Sequence, residues 1–338
     1  MKGLFDKCKI KNIEAKNRFI RSATWEGLCD EEGHLNDNFY NMYENIAKGG
    51  IGTIITGYAT VFSYDKPSKG IAGIYDDSFI PEYKKLVDII HKNNALVIAQ
   101  IVLGKEYKNG TYESYGFEDS MTDEYIEDII NKFSEAALRV KKAGFDGVQI
   151  HGAHGYFLSR VLSPIYNKRT DSYGENKEKL LVEVYKKVRE IVGDDFIVGL
   201  KINSHDPEPL GEDFNQCLKT CIALDKLNID FIEISGGDFK LSKNLKMESI
   251  YKEYAEKVAN EVNCKVALVA LNRTPKNMEQ ILNSTKIDFM SLCRPIICEP
   301  NLINRWKSGD LTKAKCISCG KCYVDEHGNE CIFNKNRK

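Results

Sequence analysis

An α/β chain closed as a (β/α)8 TIM barrel, with a short Cys-rich extension behind it, is the fold that this 338-residue sequence predicts. Eight short β-rich apolar runs recur along the chain, and segments of helical periodicity separate them. That rhythm stops after Trp306, where a Lys- and Cys-rich stretch begins. Alternating strands and helices imply parallel strands joined by right-handed crossovers, and eight units favour closure over an open doubly wound sheet. An open dinucleotide-binding sheet would also carry a Gly-Xaa-Gly-Xaa-Xaa-Gly turn after its first strand, and SATWEGLC after Arg21 supplies none.

In order, the strand-like runs are Phe19 to Ala23, Ile51 to Gly57, Leu96 to Val102, Val148 to His151, Phe196 to Ile202, Phe231 to Ser235, Val266 to Val269 and Phe289 to Leu292. Between the third and fourth, Ile126, Ile129, Ile130, Phe133, Ala137 and Val140 form one apolar stripe, with Thr122 as its N-cap. Leu180, Val184, Val188 and Ile191 repeat the pattern between the fourth and fifth. Tyr107 to Ser120, rich in Gly, Tyr and Glu, lacks that period and is expected to cross the barrel mouth, where it could act as a lid. The barrel is expected over residues 1–310 and a cysteine-rich clip over 311–338, a segment too short to own a core.

The 42% hydrophobic residues support a real core. With 48 basic and 49 acidic residues the net charge is −1, which gives no electrostatic case for nucleic acid or an anionic membrane surface, so a small-molecule partner is expected. The start, MKGLFDKCKIKN, has no apolar h-region, and no later segment approaches eighteen apolar residues; the expectation is a cytoplasmic protein. In that reducing compartment eleven cysteines point to metal or redox chemistry rather than to disulfides.

The chemistry of such a barrel lies where its strands end. There the first strand brings Ser22 and Thr24, the third Gln100, the fourth His151 with His154 and Tyr156 just beyond, the fifth Lys201 and the eighth Arg294. In FIVGLKIN, alternation sets Gly199 and Lys201 on one face and Val198 and Leu200 on the other, which argues for an inward lysine rather than a solvated one. His151 and His154 have the spacing of a zinc pair, but no third ligand stands at another strand end.

These segments resemble the Old Yellow Enzyme group of FMN-dependent oxidoreductases over nearly the whole chain. NRFIRSAT (Asn17 to Thr24), VIAQ (Val97 to Gln100), HGAHGYFLSRVLSPIYNKRTDSYG (His151 to Gly174), RTPKNMEQIL and SLCRPIICEP fall in that family's order and spacing. The resemblance implies an FMN across the barrel mouth, with Ser22, Ala23, Thr24 and Tyr58 beside it and Gln100 at its pyrimidine edge. It implies Lys201 as the cation beside the flavin carbonyl, where a fixed ammonium stabilises anionic reduced flavin. His151 and His154 would then hydrogen-bond a substrate carbonyl or nitro oxygen, and Tyr156 would deliver the proton. Arg294, with backbone amides near Ala270 and Cys293, would hold the phosphate. Many relatives carry glycine at the last two positions and a small or polar residue in place of Trp25.

KCISCGKCYVDEHGNECIF sets Cys316, Cys319, Cys322 and Cys331 in a C-x2-C-x2-C-x8-C arrangement, closer to [4Fe-4S] ligation than to paired zinc hairpins, with zinc kept as the alternative. Longer members of the family, the dienoyl-CoA reductase and trimethylamine dehydrogenase types, carry a [4Fe-4S] cluster here, with a longer gap before the last cysteine. They continue into a second flavin-binding domain that this chain is expected to lack, so electrons should come from NAD(P)H or a separate redox protein. Cys8, Cys29, Cys217, Cys221, Cys264 and Cys298 are expected to pack as small apolar residues.

The expected reaction is hydride transfer from reduced FMN to an activated C=C or related acceptor, with oxidation of a C–H or C–N bond as the reverse alternative. Two rivals remain: a flavin-free Schiff-base aldolase using Lys201, and a non-catalytic electron-transfer subunit built around the cysteine tail.

Overall fold

The computed structural model describes residues 1–108, 111–207, 210–236 and 246–334, with the backbone alone at 105–108, 111–114 and 323. Eight strands make the barrel: β1 (Phe19–Arg21), β2 (Thr53–Thr60), β3 (Leu96–Val102), β4 (Gly147–Gly152), β5 (Ile197–Asn203), β6 (Phe231–Ser235), β7 (Lys265–Leu268) and β8 (Phe289–Leu292). Each pairs in parallel with the next, and β8 pairs with β1 to close the ring. The expected TIM barrel is therefore what the chain forms, with all eight sequence-read strands present.

Seven longer helices surround it: α1 (Asp37–Lys48), α2 (Ile80–His91), α3 (Asp123–Lys142), α4 (Lys179–Val192), α5 (Phe214–Asp225), α6 (Lys252–Glu261) and α7 (Pro275–Ser284). Their starts are chemically marked. Asn36, Thr122 and Asp213 each accept a hydrogen bond from a backbone N–H in the first turn, satisfying donors that the helix leaves open. The predicted α3 stripe is buried at Ile126, Ile129, Phe133, Ala137 and Val140 and half-buried at Ile130. It packs in one outer core with Val148, Leu200 and the α4 residues Leu180, Val184 and Val188.

A second, separate core fills the barrel's lower interior: Ile20, Ile55, Ile98, Ile197, Phe231, Ala267 and Phe289. An N-terminal antiparallel hairpin, Cys8–Ile10 with Ile13–Ala15, caps it through Cys8, Ile10 and Ala15. Gly199 lacks a side chain where the Phe231 ring needs the space. That sets Gly199, and Lys201 two residues on, on the inner face as alternation predicts.

β2 carries a bulge. Ile55 pairs with Ile98 and Tyr58 with Gln100, so Thr56 and Gly57 together oppose one residue of β3. The Gly57 N–H donates to Glu26 Oε1 at 2.7 Å, and the Tyr43 hydroxyl donates to the same carboxylate. Burial pushes the Glu26 carboxyl up, against the opposing pull of Arg21.

The chain after Lys307 lies against the barrel. The Ala314 N–H donates to the Arg273 carbonyl at 2.9 Å, and Lys313 pairs with Glu248 at 2.6 Å. A second antiparallel hairpin, Tyr323–Asp325 with Gly328–Glu330, is clipped to the loop before α1 and to α1 itself, because Asn329 donates to the Trp25 carbonyl and Asn38 donates to the Glu326 carbonyl at 2.7 Å. The expected mouth-crossing segment, Tyr107 to Ser120, overlaps an antiparallel pair, Lys105–Lys108 with Thr111–Ser114, whose tip at 109–110 lies outside the described residues.

Candidate active site

β3 to β6 deliver the polar side chains in a row that follows the strand register. Gln100 of β3 is the partner of Gln149, His151 is the partner of Lys201, and Lys201 is the partner of Glu233. Inside the barrel this row becomes a continuous chain. Gln100 Nε2 donates to Gln149 Oε1 at 2.7 Å, Gln149 Nε2 to Glu233 Oε2 at 3.3 Å, and Lys201 Nζ to Ser22 Oγ at 2.7 Å. Lys201 Nζ also lies 3.1 Å from Glu233 Oε2, with the two side chains 3% and 0% exposed. Burial pushes the Glu233 carboxyl up, but the Lys201 ammonium together with hydrogen bonds from Ser291, Ser22 and Lys201 outweighs burial and holds it below the usual carboxylate range.

Just beyond β4 the chain turns sharply. His154 has φ of 62° and Gly155 of 72°, and the His154 N–H donates to Asn203 Oδ1 at 3.1 Å. The turn gathers three rings: His151 and His154 lie 5.3 Å apart by centroid, and His151 and Tyr156 5.1 Å. Burial holds His151 well below the usual histidine range, reinforced by His154 and Lys201, and burial with Lys201 does the same to His154. Both imidazoles are therefore neutral at pH 7. Burial raises the Tyr156 phenol, so it keeps its proton. His154 Nε2 is 2.9 Å from Ser235 Oγ, whereas both ring nitrogens of His151 are buried with no hydrogen-bond partner among the described residues.

Above this row opens a cavity of about 360 Å³ whose wall includes Ser22, Ala23, Thr24, His154, Lys201, Ala270, Cys293 and Arg294. Eight of the flavin-site residues read from sequence thus share one cavity. Gln100, Tyr58, His151 and Tyr156 are not in its wall. Gln100 sits lower, tied to Gln149, and Tyr58 stands against His151 and Tyr156, at 6.4 and 5.3 Å between centroids, with its hydroxyl 2.9 Å from Ser68 Oγ. At the far end a recess of about 40 Å³ is bounded by Ala270, Cys293, Arg294 and Ser318. Ala270 and Leu271 adopt φ of 88° and 59°, left-handed backbone that glycine would take without strain.

Sequence reasoning passed over Ser235, Gly236, Tyr251 and Asn329, which also line the cavity, and over Gln149 and Glu233 beneath it. Cys298, expected to be a packing residue, forms one buried cluster with Cys316 and Cys331. The Cys298 thiol is pushed up to about 12 by burial and by a hydrogen bond with Cys331. Cys322 reaches the cavity wall itself. Among the described residues no group of three or more His, Cys, Asp or Glu side chains is arranged to hold a metal ion, and none of the described helices is long and apolar enough to cross a membrane.

The closed ring of parallel strands, with a cavity at their carboxyl ends, defines the class of fold, a (β/α)8 barrel. Residues 3–312 match the family described as NADH:flavin oxidoreductase / NADH oxidase, and the chain belongs to that family. It is 28% identical to the NADH oxidase of Thermoanaerobacter brockii over 94% of this chain and 52% of that protein, so it spans about half the length of that curated relative. Its fold matches a 2-naphthoyl-CoA reductase complex (TM-score 0.85, 24% identity, 94% of this chain and 54% of that one). It also matches the old yellow enzyme homologue from Zymomonas mobilis (TM-score 0.78, 19% identity, 98% of both chains). The residues fit the family's FMN: the cavity is lined by a fixed cation, Lys201, and by His154, and His151, whose buried ring nitrogens have no hydrogen-bond partner among the described residues, is the register partner of that lysine.

Proposed function

We propose that the chain binds FMN in this cavity and uses it to reduce an activated C=C of a small molecule, drawing electrons from NAD(P)H or from a separate redox protein. The juxtaposition of His151, His154 and Tyr156, with His151 the strand-register partner of the buried Lys201, carries this reading. When bound, FMN supplies the hydride. The two neutral imidazoles can each point an N–H at a substrate carbonyl or nitro oxygen, withdrawing charge from the double bond. Tyr156, protonated at neutral pH, is placed to deliver a proton to the carbon beside that group. Ser22, Ala23, Thr24 and Lys201 would line one side of the cofactor, with Gln100 and Tyr58 as supports from below and beside, while Arg294 and the amides at Ala270 and Cys293 take the phosphate.

The barrel is assigned to residues 1–310 and the clip to 311–338. In the clip, Cys316, Cys319, Cys322 and Cys331 would hold a [4Fe-4S] cluster, or zinc as the second choice; what supports this is a set of thiols, two of them buried together and one in the cavity wall. The Schiff-base alternative needs a free amine, and Lys201 is engaged in an ion pair at 3.1 Å.

The test is anaerobic purification with quantification of flavin, iron, sulfide and zinc, then reduction by NADH or NADPH and mixing with 2-cyclohexenone. One FMN per chain, bleached by the nicotinamide and restored by the enone, is expected. A colourless protein that refuses added FMN overturns the reading, and reduced FMN that no enone reoxidises overturns its C=C half.

A further inference from the structure

We propose that Glu233 is a positioning residue for the flavin: it fixes the Lys201 ammonium at the barrel mouth and presents FMN with an ion pair in place of a bare cation, keeping the reduction potential lower than the lysine alone would set it. This rests on the FMN reading above. Its support is the geometry of one layer. Lys201 has a flexible four-carbon stem that could place its charge at many points, but Ser22 Oγ at 2.7 Å and Glu233 Oε2 at 3.1 Å hold it at one. Glu233 is itself held, by Gln149 Nε2 at 3.3 Å, and Gln149 is held by Gln100 at 2.7 Å. The strand register makes Lys201 and Glu233 direct cross-strand partners, so the pairing is built into the backbone.

Neither side chain has an exposed surface to shed its field into solvent, so each charge is felt strongly by a neighbour above. A buried ion pair costs desolvation that two apolar side chains would avoid, and a cation alone would suffice if the only task were to attract anionic reduced flavin. The carboxylate offsets that attraction. It therefore limits how far the protein favours reduced over oxidised FMN, and a lower potential makes the bound cofactor a stronger hydride donor.

The experiment measures the potential of bound FMN in the wild-type holoprotein, in Glu233→Gln and in Glu233→Asp, by equilibration with a reference dye, together with the Kd of oxidised FMN. Glu233→Gln keeps the shape and removes the charge. Its potential is expected to shift positive, by a roughly tenfold gain in preference for reduced FMN, ~30 mV for a two-electron couple. Glu233→Asp, which keeps the charge at a longer distance, should fall between the two. A role in packing alone would lower thermal stability and FMN loading and leave the potential where it was. An unchanged or more negative potential in FMN-loaded Glu233→Gln overturns the inference; if that variant does not fold, a wild-type potential in Glu233→Asp overturns it. Wild-type protein that takes no FMN removes the functional reading and this inference together, whereas FMN-loaded variants at the wild-type potential remove this inference alone.

Discussion

The lower interior of the barrel and the layer just above it stand on the same strands and differ in almost every physical respect. Ile20, Ile98, Phe231 and Phe289 fill the lower layer; two residues further along the same strands come Ser22, Gln100, Glu233 and Ser291, all buried and all polar. Two residues of strand are about 6.6 Å of height. Over that distance the barrel changes from dry packing, plugged by a hairpin, to a chain of amides and charges under a cavity. The lower layer holds the strands together and so allows the upper layer to carry polar groups that contribute little to stability.

The largest expected effect is on the upper side. Tyr156→Phe should lower enone turnover by about 10²–10⁴-fold while flavin content stays at the wild-type level, as read by stopped-flow reoxidation of the reduced protein. Equal loss of bound flavin would show that the ring serves the cofactor and not the proton. In the lower layer, Phe231→Ala empties a fully buried site and should cost ~3–5 kcal/mol in urea unfolding, with turnover per folded molecule nearly unchanged.

Rebuilding the upper layer in the style of the lower one sharpens the contrast. Lys201→Met with Glu233→Leu replaces a buried ion pair by apolar side chains, and the double variant should be as stable as wild type or up to ~4 kcal/mol more stable, yet bind reduced flavin poorly. A large loss of stability instead would mean that the polar chain holds the fold. The smallest effect is acid sensitivity of the flavin-free protein. His151 and His154 are neutral in the fold, but in the unfolded chain they take up protons below about pH 6.5. Stability is then full above that pH and declines as pH falls through it, by up to ~1.4 kcal/mol per unit and per ring. Denaturation curves at pH 7.5 and 5.5, repeated on His154→Gln, read the slope and its expected reduction by about half.

The lower layer was legible in the sequence because its residues sit in apolar runs with strand period. The upper layer was legible one strand at a time. Alternation in FIVGLKIN gave the inward direction of Lys201, and the same rule applied to FIEIS sets Phe231, Glu233 and Ser235 on one face. Glu233 was missed because its meaning depends on a partner in the neighbouring strand, and register between β5 and β6 is a property of the assembled sheet. Cys298 was missed for a similar reason: 17 positions separate it from Cys316 on the chain, and only the path of the clip brings the two together. Strand ends shifted where backbone groups found other partners. β1 stops at Arg21, although the Ser22 N–H still donates to the Leu292 carbonyl at 2.9 Å, and β2 runs past the Gly57 that composition marks as its end.

That glycine belongs to the bulge, and the bulge acts as a change of phase. Before it, Ile55 faces inward; strict alternation would then turn Gly57 and Ala59 inward and send Tyr58 out toward the helices. The extra residue reverses the parity, so Tyr58 faces His151 and Tyr156. The aromatic wall of the site thus depends on the bulge as much as on residue types: a β2 that alternated regularly through both Thr56 and Gly57 would turn Tyr58 away from the site, whereas deleting one of the two would remove the bulge and leave Tyr58 opposite Gln100 on the inner face.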